Sequence, residues 1–378
     1  MKTERTAAMT LYEQRLLRTM NAIQMKPVDK IPFSYSGPAY LARSQGVKIG
    51  TYVSDFTKAT DAAVGFALKH PGIDTMHTPT ISPFALSTLW LSNVRVPGLD
   101  LPEDELWQVD EQELMTEEDY ETIVKIGYGP WLEDFLKNRA GDPLPKMQPF
   151  IQSSPETFRR MAVEANMPVV NAVMSGSPFE GFCGARQLMN FFMDLMEEPE
   201  LVKKALDKAM EYVYGSFVTQ LDAIKPIGAW VGGWRAAPEL MAHDTWMEFV
   251  WPYLRRLIDA AVERNVLPIL HFDSCWESEL ETLKELPPRT CLLMLDGSTD
   301  MRMARNVLDD RMCLMGDVPS TMLAFGDENQ VYQYVTKLID DVGPKTGLIV
   351  SSGCDTPLNA KPENVRAMIQ ATVDYRIS

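Results

Sequence analysis

Leu267-Pro268-Ile269-Leu270-His271-Phe272 is a short, almost wholly apolar run that stops at Asp273-Ser274-Cys275. A run of this length without polar alternation fits a strand buried on both faces, and such strands belong to parallel sheets covered by helices. Similar runs recur on either side of it, at residues 31–35, 72–76, 168–174, 227–232, 290–295, 312–316 and 348–352, with helical stretches between them. Eight buried strands alternating with helices suit closure into a ring better than an open sheet. The predicted fold class is therefore α/β, a (β/α)8 TIM barrel.

The helices support this on their own terms. Leu11, Leu16, Leu17, Met20 and Ile23 fall at helical spacing and end before Lys26-Pro27, where proline disfavours continuation, so the chain is expected to open with a helical cap. Residues 238–264 carry Leu240, Phe249, Tyr253, Leu257 and Ala261 at helical intervals, and Pro252 should kink or split that helix. Pro362 follows Lys361 where the first turn of a helix tolerates proline. One region breaks the rhythm. Residues 78–167 separate the second and third strands, and a segment of that length must fold in its own right. It follows a strand's C-terminal end, which makes it a lid or partner-docking insertion over the mouth of a single barrel domain spanning residues 1–378.

Composition narrows the function. Hydrophobic residues at 46% and charged residues at 23% give enough apolar surface for a large core. The 52 acidic against 36 basic side chains leave a formal charge of −16, which repels phosphate backbones and anionic membrane surfaces, so no nucleic acid and no membrane are expected as partners. The charged first twenty residues have no continuous apolar core, and no later stretch reaches the roughly 18–20 apolar residues of a spanning helix, which predicts a cytoplasmic protein. Five scattered cysteines, Cys183, Cys275, Cys291, Cys313 and Cys354, form no CxxC pair and fit reduced thiols better than disulfides. The 23 methionines fit pliable core filler, or a soft lining for a large hydrophobic ligand.

In a β/α barrel the working side chains project from the C-terminal strand ends. The first two ends give Ser34, Tyr35 and then His77 and Thr78, without an obvious role. The third to eighth give Glu180 just past the strand, then Trp234 and Arg235, then His271, Asp273 and Cys275, then Asp296, Asp317 and finally Cys354. A histidine, a carboxylate and a thiol presented from nearby positions make a ligand set for a borderline metal such as zinc, and three protein ligands leave a fourth position open for catalysis. His271, Asp273 and Cys354 are the candidates, with Asp273 either a ligand or a group orienting one, and Cys275 its competitor. The alternative is a buried His271 bonded to the next strand and a Cys354 that only packs. Glu180, Asp296 and Asp317 could instead serve as the paired carboxylates of a glycosidase, and Cys275 with His271 as a nucleophile pair. No GxSxG, P-loop or GxGxxG motif points to hydrolase, nucleotide or dinucleotide chemistry.

Ile269-Leu270-His271-Phe272-Asp273, Cys313-Leu314-Met315-Gly316-Asp317-Val318-Pro319, and Ser351-Ser352-Gly353-Cys354-Asp355-Thr356-Pro357 with Pro362-Glu363-Asn364-Val365 resemble successive strand-end motifs of the uroporphyrinogen decarboxylase superfamily. The likeness is to its cobalamin-dependent methyltransferase branch. That branch binds zinc through a His-x-Cys pair and a later cysteine. The resemblance therefore implies zinc held by His271, Cys354 and, in the place of the middle cysteine, Asp273. Decarboxylases of the superfamily carry an arginine-rich N-terminal signature and an aspartate after the second strand, where this chain has Ile31-Pro32-Phe33-Ser34-Tyr35 and His77-Thr78-Pro79-Thr80. The resemblance further implies methyl transfer from a small methylated substrate, such as a methyl ether, to the cobalt of a corrinoid (cobalamin) supplied by a partner protein. Methyl transfer from methylcobalamin to a thiol is the alternative, and a homodimer is left open. A carboxylate in place of a thiolate makes the metal more acidic and favours the O-demethylating direction. Glu180, Trp234, Arg235, Asp296 and Asp317 are then candidate substrate or corrinoid contacts.

Overall fold

The computed structural model describes residues 9–377; residues 1–8, the start of the charged N-terminal stretch, lie outside it. The strands in chain order are β1 (Ser34–Tyr35), β2 (Thr75–Met76), β3 (Asn93–Arg95), β4 (Gln108–Asp110), β5 (Asn171–Ser175), β6 (Gly228–Gly233), β7 (Leu267–Phe272), β8 (Leu292–Leu295), β9 (Cys313–Val318) and β10 (Leu348–Ser352). All eight apolar runs hold parallel strands, and the short pair β3–β4 is an antiparallel addition within residues 78–167. Strands β5 to β10 pair consecutively into one six-stranded parallel sheet, while β1 and β2 form a separate parallel pair. Single parallel bridges join the two sheets at both edges, Phe33 with Val350 and Met76 with Val169. The early strands are shorter than their apolar runs. Near β1 part of the backbone pairing passes to a side chain, the Asp74 carboxylate accepting from the Phe33 amide at 3.0 Å.

Val170, Leu267, Ile269, Leu292, Met294, Cys313, Met315 and Ile349 pack into one apolar cluster, which Ala22 and Ile23 of the first helix (Leu11–Ile23) also join. That helix thus packs against the strand interior through Ala22 and Ile23. Its buried Arg15 donates to the carbonyls of Ala165 and Asn166, at 3.0 and 2.9 Å, and Arg18 pairs with Asp74. Pro252 splits the helical stretch as anticipated, into His243–Phe249 and Trp251–Glu263, and sits in the first turn of the second piece.

Residues 78–167 contribute the helices Phe84–Trp90, Glu117–Ile126, Tyr128–Asn138 and Pro143–Glu164. The first of these lies on the helix that follows β5, Pro178–Arg186. There a side chain at Gly181 would press on Leu91, and one at Gly184 would strike the Trp90 carbonyl. A buried Arg186 fastens the same junction, chelating Asp194 at 2.7 and 2.8 Å and donating to the Met115 carbonyl, while the Tyr120 hydroxyl donates to Asp194 at 2.7 Å. Among the described residues no helix is long and apolar enough to cross a membrane.

Candidate metal centre

β7 delivers His271, whose neighbours in register are Gly232 of β6 and Met294 of β8. A side chain at Gly232 would collide with the His271 carbonyl, so glycine lets the two backbones approach. The imidazole is held by contacts on two sides: the Trp230 ring centroid is 5.5 Å away, and Met294 Sδ is 2.9 Å from Nδ1. With Nδ1 beside the Met294 sulfur, Nε2 faces Cys354 and Asp273.

Nε2 lies 3.5 Å from Cys354 Sγ and 3.2 Å from Asp273 Oδ1. One donor atom from each of the three residues falls within 4.8 Å of the others. Four-coordinate zinc, with bonds of about 2.0–2.3 Å, spaces its ligand atoms roughly 3.3–3.7 Å apart, close to the two separations measured from Nε2. Cys275 is outside this group; its amide donates to Glu239 Oε1 at 3.2 Å. Burial opposes charge on His271, but Asp273 and Cys354 outweigh it and hold the imidazole well above its ordinary pKa. Burial raises the Cys354 thiol, with His271 pulling the other way. The two acidic groups thus create a pocket that favours positive charge.

Each loop that carries a candidate ligand is tied down. Trp276 stacks on Phe272, centroids 3.8 Å apart at 11°, and its indole N–H donates to the Asp273 carbonyl at 2.8 Å. Asp296 accepts from the Ser274 amide at 2.9 Å and the Ser298 amide at 2.8 Å. Past β10, the Ser352 hydroxyl donates to the Cys354 carbonyl at 2.6 Å, and Ser36 at the end of β1 donates to Asp355. A side chain at Gly353 would run into the Asp296 carbonyl, which sets the Cys354 loop directly against the loop after β8, whose Asp296 in turn holds the Ser274 amide.

The five other predicted site residues divide. Asp296 holds a loop, as described. Asp317 is buried and accepts from Tyr334 of the helix Glu328–Val342 at 2.8 Å. Glu180, Trp234 and Arg235 come together in a second polar cluster with Trp90, treated below. His77 is the residue that strand-end reasoning found but gave no role. It is buried, its Nε2 has no hydrogen-bond partner, and burial together with the nearby His271 pushes its pKa down to about 3. The missing signal was its spatial partner, which strand order alone does not reveal.

Glu180 is fully buried and its pKa is pushed up to about 8, chiefly by desolvation. A carboxyl raised in this way keeps a proton that the unfolded chain releases. Its contribution to stability is therefore complete below the ordinary carboxyl pKa and is lost as pH climbs from 4.5 to about 8. Glu180→Gln should remove that fall. Urea midpoints of the two proteins should diverge in slope across this window and run parallel above it.

A family model for uroporphyrinogen decarboxylase (URO-D) matches residues 125–375, two thirds of the chain. The chain belongs to the URO-D family. All eight predicted site residues fall inside the match. Among curated relatives, uroporphyrinogen decarboxylase of Geotalea daltonii is 24% identical over 245 residues, covering 62% of this chain and 68% of its own. That of Pelobacter propionicus is 24% identical over 240 residues, covering 60% and 66%. The chain thus spans about two thirds of the length of the curated relatives it matches. Among solved structures, a methyltransferase from Methanosarcina mazei superposes with a TM-score of 0.68 at 17% identity, over 97% of this chain and 99% of that one. That likeness establishes a shared TIM-barrel-like α/β fold.

Proposed function

We propose that this URO-D family member is a cytoplasmic, zinc-dependent methyltransferase that moves a methyl group from a small methylated substrate, a methyl ether, to the cobalt of a corrinoid carried by a separate protein. The observation that carries the reading is the convergence of His271, Asp273 and Cys354 donor atoms within 4.8 Å at the C-terminal ends of β7 and β10. A decarboxylase reading, which the names of the curated relatives would suggest, leaves this trio without a task. The printed name of the structural neighbour, methyltransferase, agrees with the proposal.

In this reading the eight parallel strands act as one closed barrel, with the bridges at Phe33 and Met76 as its seams. His271, Asp273 and Cys354 hold the metal; zinc so bound supplies Lewis acidity toward an ether oxygen. Met294 fixes the His271 ring, and Trp276 and Asp296 fix the Asp273 loop, so the donors are placed before substrate arrives. Residues 78–167 cover the strand ends and exclude water from the departing oxygen. Five free cysteines are consistent with a reducing compartment.

The direct test is anaerobic incubation of the chain with a reduced corrinoid protein and a panel of methyl ethers, methanol and methylated thiols, following the cobalt absorption spectrum. Methylation of cobalt by at least one ether is expected. Silence across the whole panel, with no demethylation of methylated corrinoid by a thiol, would remove the proposal.

A further inference from the structure

Beside the metal centre, and across the β6–β7 pair from Asp273, four buried polar atoms make no well-formed hydrogen bond: Trp90 Nε1, Glu180 Oε2, and Nε and Nη1 of Arg235, although the Trp90 indole is near enough to the Glu180 carboxyl to favour its ionised form. They come from three separate segments: the first helix of the 78–167 insertion, the helix after β5, and the turn after β6. Buried polar groups are nearly always paired, so a cluster of four orphans asks for a ligand. Two other contacts show how firmly it is built. The Ala236 amide donates to Glu180 Oε1 at 2.7 Å, and Gly233, at φ 152°, occupies a spot where any side chain would collide with the Glu180 carboxyl.

The chemistry of the set is that of an anion receptor. The Arg235 side chain is 1% exposed, and its guanidinium carbon lies over two indole rings, 5.4 Å from the Trp90 centroid and 4.3 Å from that of Trp234. Burial lowers its pKa to about 10, which leaves it charged at neutral pH. Its nearest full partner is Glu111, from the insertion just after β4, which contacts Nη2, while Glu180 Oε2 stands 3.9 Å from Nη1. The Glu111 side chain is one-third exposed, so this carboxylate reaches the buried cation from a solvent-facing segment. It occupies one corner of a fork that binds carboxylates through two corners at once.

We propose that Arg235, with the Trp90 indole N–H, anchors the carboxylate of an anionic methylated substrate, and that Glu111 fills the same place when no substrate is bound. The proposal rests on the function argued above, since it names the class of methyl donor, a methoxy-carboxylic acid. Displacement of Glu111 frees the Nε–Nη2 edge for two parallel hydrogen bonds, and Glu180 in its neutral form adds an O–H donor. Release of Glu111 also loosens one tie between the insertion and the strand ends, so substrate entry and movement of the covering segment are linked through one guanidinium.

Binding can be read without cobalt, from quenching of tryptophan fluorescence in the full-length, zinc-loaded protein. The probes are 4-methoxybenzoate and methoxyacetate, each against its uncharged amide. At least one acid should bind about tenfold or more tighter than its amide, as a charge-assisted bidentate contact requires. Arg235→Gln should erase the preference. Glu111→Gln, at a partly exposed position that should fold, should tighten the acid severalfold and leave the amide unchanged. Equal binding of acid and amide, no binding of any probe, or an E111Q variant with unchanged or weaker acid affinity would overturn the proposal. Charge-selective binding without methyl transfer would keep the anchor and remove the enzyme reading; methyl transfer from neutral ethers alone would do the reverse.

Discussion

Replacing Cys354 by alanine is expected to abolish stoichiometric zinc binding and bring methyl transfer to background while leaving the fold intact. Removing partners that merely orient a ligand costs roughly 10–100-fold in metal affinity, so removing a ligand should cost more than about 100-fold. Cys354 is half-buried and lies after β10 rather than within the apolar interior, so the truncation opens little cavity and stability should change by no more than about 1 kcal/mol. His271→Ala should show the same loss of metal. Cys275→Ala should not, because that thiol stands outside the donor group. Metal content after dialysis, beside a urea melt of each variant, separates the ligand role from simple unfolding. A C354A protein that retains one zinc per chain would show that the sulfur is not a ligand.

The second large effect should come from a residue that touches no metal. Trp276 is 1% exposed, stacks on Phe272, meets Trp246 edge-on at 5.9 Å, and bonds through its indole to the Asp273 carbonyl. Truncating a buried tryptophan to alanine costs about 3–5 kcal/mol. Because one face of this side chain lies on the strand that carries His271 and its edge on the loop that carries Asp273, the loss should appear in both stability and zinc affinity. Trp276→Ala should lower the urea midpoint strongly and weaken zinc by about 10–100-fold. Trp276→Phe keeps a ring on Phe272 while losing the N–H and part of the buried volume, and should recover more of the stability than of the affinity. Equal recovery of both would show that the indole N–H does not position Asp273.

The two tests also mark what the sequence could and could not reveal. A strand buried on both faces reads as an apolar run whichever strand it pairs with, so residues 267–272 and their seven counterparts were visible without any knowledge of topology. His271, Asp273 and Cys354 were visible as strand-end candidates, but what joined them into one set was the family resemblance rather than the pattern. That Asp273 rather than Cys275 groups with His271 and Cys354 needed the backbone, since Ser274 between Asp273 and Cys275 adopts a positive φ of 73°. Side-chain partners across long separations left no trace in local pattern. Arg235 meets Glu111 from 124 residues away, Asp317 is engaged by a tyrosine on a later helix, and His77 acquires meaning only beside His271. The strands β3 and β4 were missed for a different reason: three residues each, partly exposed, are too short to show a period of two.

Zinc K-edge X-ray absorption on the purified, full-length protein tests the central claim most directly. The account predicts one sulfur scatterer at about 2.3 Å with the remaining ligands nitrogen or oxygen at about 2.0–2.2 Å, and loss of the sulfur shell in C354A. A first shell with two or more sulfurs, a shell with none, or protein that binds no zinc at all would contradict it.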